Sequence, residues 1–66
     1  MDVATLAELL HETAEYHDQY EKAHAAHNWW DWYAAYMDAR EHGSTREQAP
    51  DAAGRYMEEA LHVLPG

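Results

Sequence analysis

His17, Glu21 and His24 stand at i, i+4 and i+7, and His27 follows one turn later. On an α-helix this spacing puts all four side chains on one face. Two imidazoles and a carboxylate are adequate ligands for zinc, iron or nickel, so the group is a candidate site for a transition metal. Glu-x-x-His occurs three times, at Glu8/His11, Glu21/His24 and Glu59/His62. Di-iron bundles use this spacing because it aims both side chains inward at one metal pair. In an up-down-up bundle a third helix runs parallel to the first and brings Glu58, Glu59 or His62 to the level of His24. The candidate ligands are therefore His17, Glu21, His24, His27 and His62. The same residues admit a purely structural account, in which histidines on a core stripe hydrogen-bond to tyrosines or carboxylates across the bundle. Glu8 and His11 fall off the apolar stripe and read as surface residues.

The second cluster is aromatic. Residues 29–37 read Trp-Trp-Asp-Trp-Tyr-Ala-Ala-Tyr-Met, and they hold all three tryptophans of the chain. There is no phenylalanine, and only seven residues are Leu or Val. Most burial must then come from rings, at about 150–250 Å² each. Trp29, Trp30, Trp32, Tyr33, Tyr36 and Met37 make a wider apolar surface than one helix seam needs. Three uses are open to it: core, a protein interface, where Trp, Tyr and Met are enriched, or a site for a flat cationic molecule held by cation–π attraction.

These residues need helices to position them. Helix formers dominate, only three glycines and two prolines punctuate the chain, and no segment alternates as a strand does. Asp2 caps a first helix over about residues 3–26. Its stripe is Val3, Leu6, Leu10, Thr13, His17, Tyr20, His24 and His27, widened by Leu9, Tyr16 and Ala23. Asn28 caps a second helix over 29–42, with Asp31 near its positive end and Gly43 at the left-handed stop. Ser44-Thr-Arg-Glu and Thr45-Arg-Glu-Gln are capping-box patterns that open a third helix over 45–63. Its apolar face is Ala49, Ala53, Tyr56, Met57, Ala60, Leu61 and Leu64. Pro50 is costly in a helix interior, which predicts a short first turn at 45–49 and a restart at Asp51. Gly54 is small enough to let an indole approach the backbone, and Pro65-Gly66 ends the helix. The expected fold is an all-α three-helix bundle in one domain, associating as a homo-oligomer because its aliphatic core is thin. The rival topology is one long helix over 3–42 with a C-terminal helix folded back in a dimer.

Composition excludes several functions. The formal charge of −9, with Lys22, Arg40, Arg46 and Arg55 scattered, gives no basic patch for a phosphate backbone, so nucleic acid is not an expected partner. No apolar run is long enough to span a membrane, and no basic-then-apolar start resembles a signal peptide. The absence of cysteine removes disulfides and thiolate sites and fits a reducing cytoplasm. The single serine, Ser44, stands at a cap, and no nucleophile–base set accompanies it, so the expectation is a non-enzyme.

Residues 29–40, Gly43-Ser44-Thr45 and Ala53-Gly54-Arg55-Tyr56-Met57 together resemble a group of short actinobacterial proteins sometimes labelled bleomycin-resistance proteins. The resemblance covers about residues 5–64. It implies a small bacterial helical module and, through the label, the trapping of a cationic aromatic compound. It transfers no catalytic or binding residue, and the βαβββ modules of glyoxalase-type resistance proteins have no counterpart here. The leading expectation is an acidic helical module that self-associates or docks on a partner through Trp29, Trp30, Trp32, Tyr33, Tyr36 and Met37. The alternative is a His/Glu metal-binding bundle.

Overall fold

Asp2 accepts a hydrogen bond from the Thr5 N–H at 2.8 Å and opens α1, Val3–Ala23. The computed structural model describes residues 2–24 and 26–63. Two further helices, α2 (Trp29–Glu41) and α3 (Ala49–Leu61), complete an all-α three-helix bundle. Tyr36 and Arg40 of α2 reach Glu12 of α1, whereas Trp32 reaches His17. The first two helices are thus antiparallel. Arg46, ahead of α3, lies over Tyr16, and Gly54 lies beside Tyr20, so α3 runs in the direction of α1. It packs mainly on α2 and only lightly on α1. None of the described helices is long and apolar enough to cross a membrane.

The stop of α1 differs from expectation and rules out the long-helix topology. The helix ends at Ala23 rather than residue 26, because His24 is extended (φ −135°, ψ 161°). Its side chain supplies what its backbone no longer gives: Nδ1–H donates to the Tyr20 carbonyl at 3.0 Å, the acceptor a continued helix would have used. The imidazole also stacks on the Tyr20 ring, with centroids 3.9 Å apart. At the end of α2, Gly43 takes φ +101°, and the N–H groups of Gly43 and Ser44 bond back to the carbonyls of Arg40 and Ala39. This is a Schellman stop. Asn28 occupies the N-cap of α2 but makes no side-chain cap bond.

The capping box forms at Thr45: its N–H donates to Gln48 Oε1, and the Gln48 N–H donates to Thr45 Oγ1. Residues 46–48 are a turn, and α3 proper starts at Ala49 rather than Asp51. Pro50 therefore falls in the first helical turn, where its missing N–H costs nothing. Leu64 and the helix end expected at Pro65-Gly66 lie outside the described residues.

Leu9, Tyr20, Trp32, Tyr36, Ala49, Ala53 and Met57 form the core, with Thr13 and His17 also buried. Trp32 and Tyr36 stack at 5.2 Å, and Tyr16 stacks on Tyr36 at 5.7 Å. Val3 is 84% exposed, and Leu6, Leu10, Tyr56, Ala60 and Leu61 are exposed as well. The helix stripes expected from spacing are thus only half used: α1 buries Leu9 in place of Leu6 and Leu10, and α3 buries only Ala49, Ala53 and Met57. The ring beside Gly54 is the phenol of Tyr20, not an indole.

One ionic network ties α1 to α2. Tyr36 Oη and Arg40 Nε both donate to Glu12 Oε2, at 2.6 and 2.9 Å. Arg40 Nη1 also holds the Ser44 carbonyl at 3.0 Å, which fixes the turn after α2. Burial pushes the Glu12 carboxyl up, but the hydrogen bonds from Tyr36 and Arg40 and the charges of Arg40 and Arg46 outweigh it and hold the group below its ordinary value of 4.5. As pH falls, the unfolded chain then takes the proton first. The network's contribution is whole above pH 4.5 and disappears as pH drops through the lower folded value. Glu12→Gln should lower stability near neutral pH by about 1–3 kcal/mol and flatten the fall in stability below that point. Urea unfolding at stepped pH checks both, and an unchanged slope would contradict the assignment.

Candidate metal centre

His17 leaves α1 two turns before its end and points into the bundle. The connection after α1 turns back, so that His27 meets it: the two Nε2 atoms are 2.9 Å apart, with ring centroids at 5.1 Å. One ring donates its Nε2–H to the lone pair of the other. Trp32 and Tyr33 present themselves edge-on to His17 at 5.4 and 5.2 Å, and Tyr20 stands nearly perpendicular to His27 at 5.0 Å. The imidazole pair is thereby walled by three rings from α1 and α2, which fix both its place and its orientation.

Glu21, one turn after His17 and exposed, completes the group. One ligand atom each from His17, Glu21 and His27 lie within 4.8 Å of one another. Burial, set against the raising influence of Glu21 and Asp18, pushes the His17 imidazole below its ordinary value, and His27 adds to the lowering. His17 is therefore neutral near pH 7, the state that binds a metal.

Three of the five predicted ligands are brought together, and two are not. His24 is committed to Tyr20, by its Nδ1–H and by stacking. His62 is exposed at the left-handed stop of α3 (φ 57°) and does not join the group. The Glu-x-x-His pattern is not what operates, since Glu21 converges with the histidine four residues before it. Glu8 and His11 are surface residues as expected, with His11 Nδ1 3.2 Å from Glu15.

The aromatic set is likewise divided. Trp32 and Tyr36 are 1% and 0% exposed, so they are core and cannot touch a partner in this fold. Tyr33 and Met37 are half-buried against the core. Trp29 and Trp30 are outside it, at 54% and 53% exposure. Sequence reasoning missed the Tyr20 ring, which braces both His24 and His27, and the Glu12–Arg40 pair. Tyr20 lies on the predicted stripe, but nothing in its spacing marks it as a bracket for two histidines.

No protein-family model matches this chain, and no curated protein or solved structure matches it either.

Among the described residues, the buried Tyr20 hydroxyl has no hydrogen-bond partner, nor has the Trp32 indole N–H. An orphaned buried donor costs roughly 1–3 kcal/mol. Tyr20→Phe should therefore leave the urea midpoint equal or higher while keeping the ring contacts with His24 and His27. A clear loss of stability would show that the hydroxyl has a partner.

Proposed function

We propose that this chain is a metal-binding helical module that holds one divalent first-row transition ion on His17 Nε2, His27 Nε2 and a Glu21 carboxylate oxygen. The convergence of one ligand atom from each of these three residues within 4.8 Å, with the two Nε2 atoms already 2.9 Å apart, carries the proposal. Two imidazoles and one carboxylate suit Zn²⁺, Fe²⁺, Co²⁺ or Ni²⁺. In tetrahedral coordination at the usual Zn–N length, the two nitrogens would stand about 3.3 Å apart. The hydrogen-bonded pair must then open by a few tenths of an ångström, and the donor ring must shift its proton from Nε2 to Nδ1. Exposed Glu21 can swing to close the site with little strain. Three protein ligands leave a fourth position for water or an incoming donor.

The surroundings favour a cation. The formal charge is −9, and such a field raises the local concentration of cations. Packing also favours it, because the ring walls hold His17 and His27 in place before an ion arrives. An ion that binds only the folded chain adds about 2.7 kcal/mol of stability at a hundredfold excess over its Kd, which is a large gain for a domain of this size.

Calorimetric titration of Zn²⁺ into tag-free, chelator-treated protein checks the proposal. The expected result is one ion per chain. His17→Ala and His27→Ala should each weaken binding beyond the 10–100-fold that loss of an outer-sphere partner costs, while His24→Ala and His62→Ala leave it nearly unchanged. Far-UV circular dichroism of each variant separates lost ligation from lost fold. Absence of saturable binding, or equal loss on removing His24 or His62, would refute the site.

A further inference from the structure

Trp29 and Trp30 are the largest apolar side chains outside the core. Each is more than half exposed, and neither joins the core cluster. They are nonetheless ordered against each other, edge to face at 5.6 Å and 83°. Trp29 also stands edge-on to the half-buried Tyr33 at 5.0 Å. The result is a small braced ledge of two indoles on the first turn of α2. Burial of a large apolar side chain stabilises a fold, and a chain with so few aliphatic residues forgoes much of that gain here.

The charge around the ledge determines what would cover it. Antiparallel packing of α1 and α2, with α3 parallel to α1, gathers the first turn of α2 and the last turns of α1 and α3 at one end of the bundle. Glu21, Asp31, Glu58 and Glu59 belong to these turns. Two bases stand among or near them: Lys22, 3.6 Å from Asp18, and Arg55, which lines a cavity with Ala23, His24 and Trp32, so the four carboxylates still leave this end acidic. Arg40 and Arg46 stand toward the other end, against Glu12 and Tyr16. A second copy of this chain would set two acidic ends against each other. Two half-exposed indoles also fall well short of the roughly 800 Å² per partner of a standard protein interface. The ledge therefore fits a short segment rather than a domain face.

We propose that the Trp29–Trp30 ledge is a docking surface for a basic segment of a partner protein, whose Lys or Arg side chains lie over the indole faces while their charges meet the acidic end of the bundle. Two cation–π contacts supply the specific part of the affinity. The long-range acidic field supplies the rest and speeds encounter. Nothing in this proposal depends on a bound metal.

The test uses the whole chain, metal-free in chelator, and two synthetic helical peptides: one with arginine repeated at i, i+4 and its glutamine-for-arginine analogue. The three indole N–H resonances are followed by heteronuclear NMR at about 0.01 M ionic strength, where the Debye length is about 30 Å. The arginine peptide should shift the Trp29 and Trp30 signals in a saturable way and leave that of buried Trp32 in place. Binding should weaken at least about fivefold for the glutamine peptide, and by a similar factor in the double variant Trp29→Ala/Trp30→Ala, as the loss of two such contacts requires. The variant should keep its helical circular dichroism, since both indoles lie outside the core. Equal binding by the two peptides, or by the variant, would overturn the proposal. So would sedimentation showing that a second copy already covers the ledge at the concentration used.

Discussion

The buried indole of Trp32 is the contact on which the other features of this bundle depend. It stacks on Tyr36, meets Tyr20 at 5.7 Å and meets His17 at 5.4 Å with the ring planes 60° apart. One side chain of α2 thereby sets its own helix against α1, supports the ring column that reaches Tyr16, and walls the imidazole that pairs with His27. A chain with seven Leu and Val residues has no aliphatic layer to take over this work. Apart from the rings, its core is Leu9 of α1 with Ala49, Ala53 and Met57 of α3, and the two alanines let α2 and α3 approach closely. The orphaned N–H of Trp32 is the cost of placing the largest apolar side chain where no acceptor reaches.

The polar groups are set by that arrangement. Where rings fill the middle of the bundle, the histidine they enclose finds its hydrogen-bond partner in His27. The return of the chain after Ala23 is what delivers it. Nearer the start of α1, Glu12 sits between Tyr36 and Arg40, and the same guanidinium holds the turn that leads to α3. The ion pair joins α1 to α2, and the imidazole pair joins α1 to the connection ahead of α2. The two links lie on either side of the ring column.

Local chemistry was legible in the sequence. The Asp2 cap, the Gly43 stop and the Thr45/Gln48 box rest on rules that span three or four residues, and each is present in the fold. The candidate site was legible for mixed reasons. His17 and Glu21 share a helix face, so spacing alone brings them together. Spacing adds His27 only on the premise that the helix runs through it, whereas it arrives because the helix stops and the chain folds back. The same stop removes His24, whose imidazole replaces its own backbone N–H at the Tyr20 carbonyl. The choice among indoles was not legible. Trp29, Trp30 and Trp32 occupy different faces of one turn, and only the crossing of α2 over α1 selects Trp32 for burial. Glu12 was invisible for a similar reason, since its partners lie 24 and 28 residues away.

The central claim is that the enclosed imidazole pair and Glu21 hold a metal ion. Diffraction from zinc-soaked crystals at the zinc absorption edge tests it most directly. A single strong anomalous peak is predicted, at about 2.0–2.1 Å from both His17 Nε2 and His27 Nε2 and about 2.0–2.2 Å from a Glu21 oxygen, with the two imidazoles moved apart. Zinc found only on His11, His24, His42 or His62, with the His17–His27 hydrogen bond intact, would contradict it.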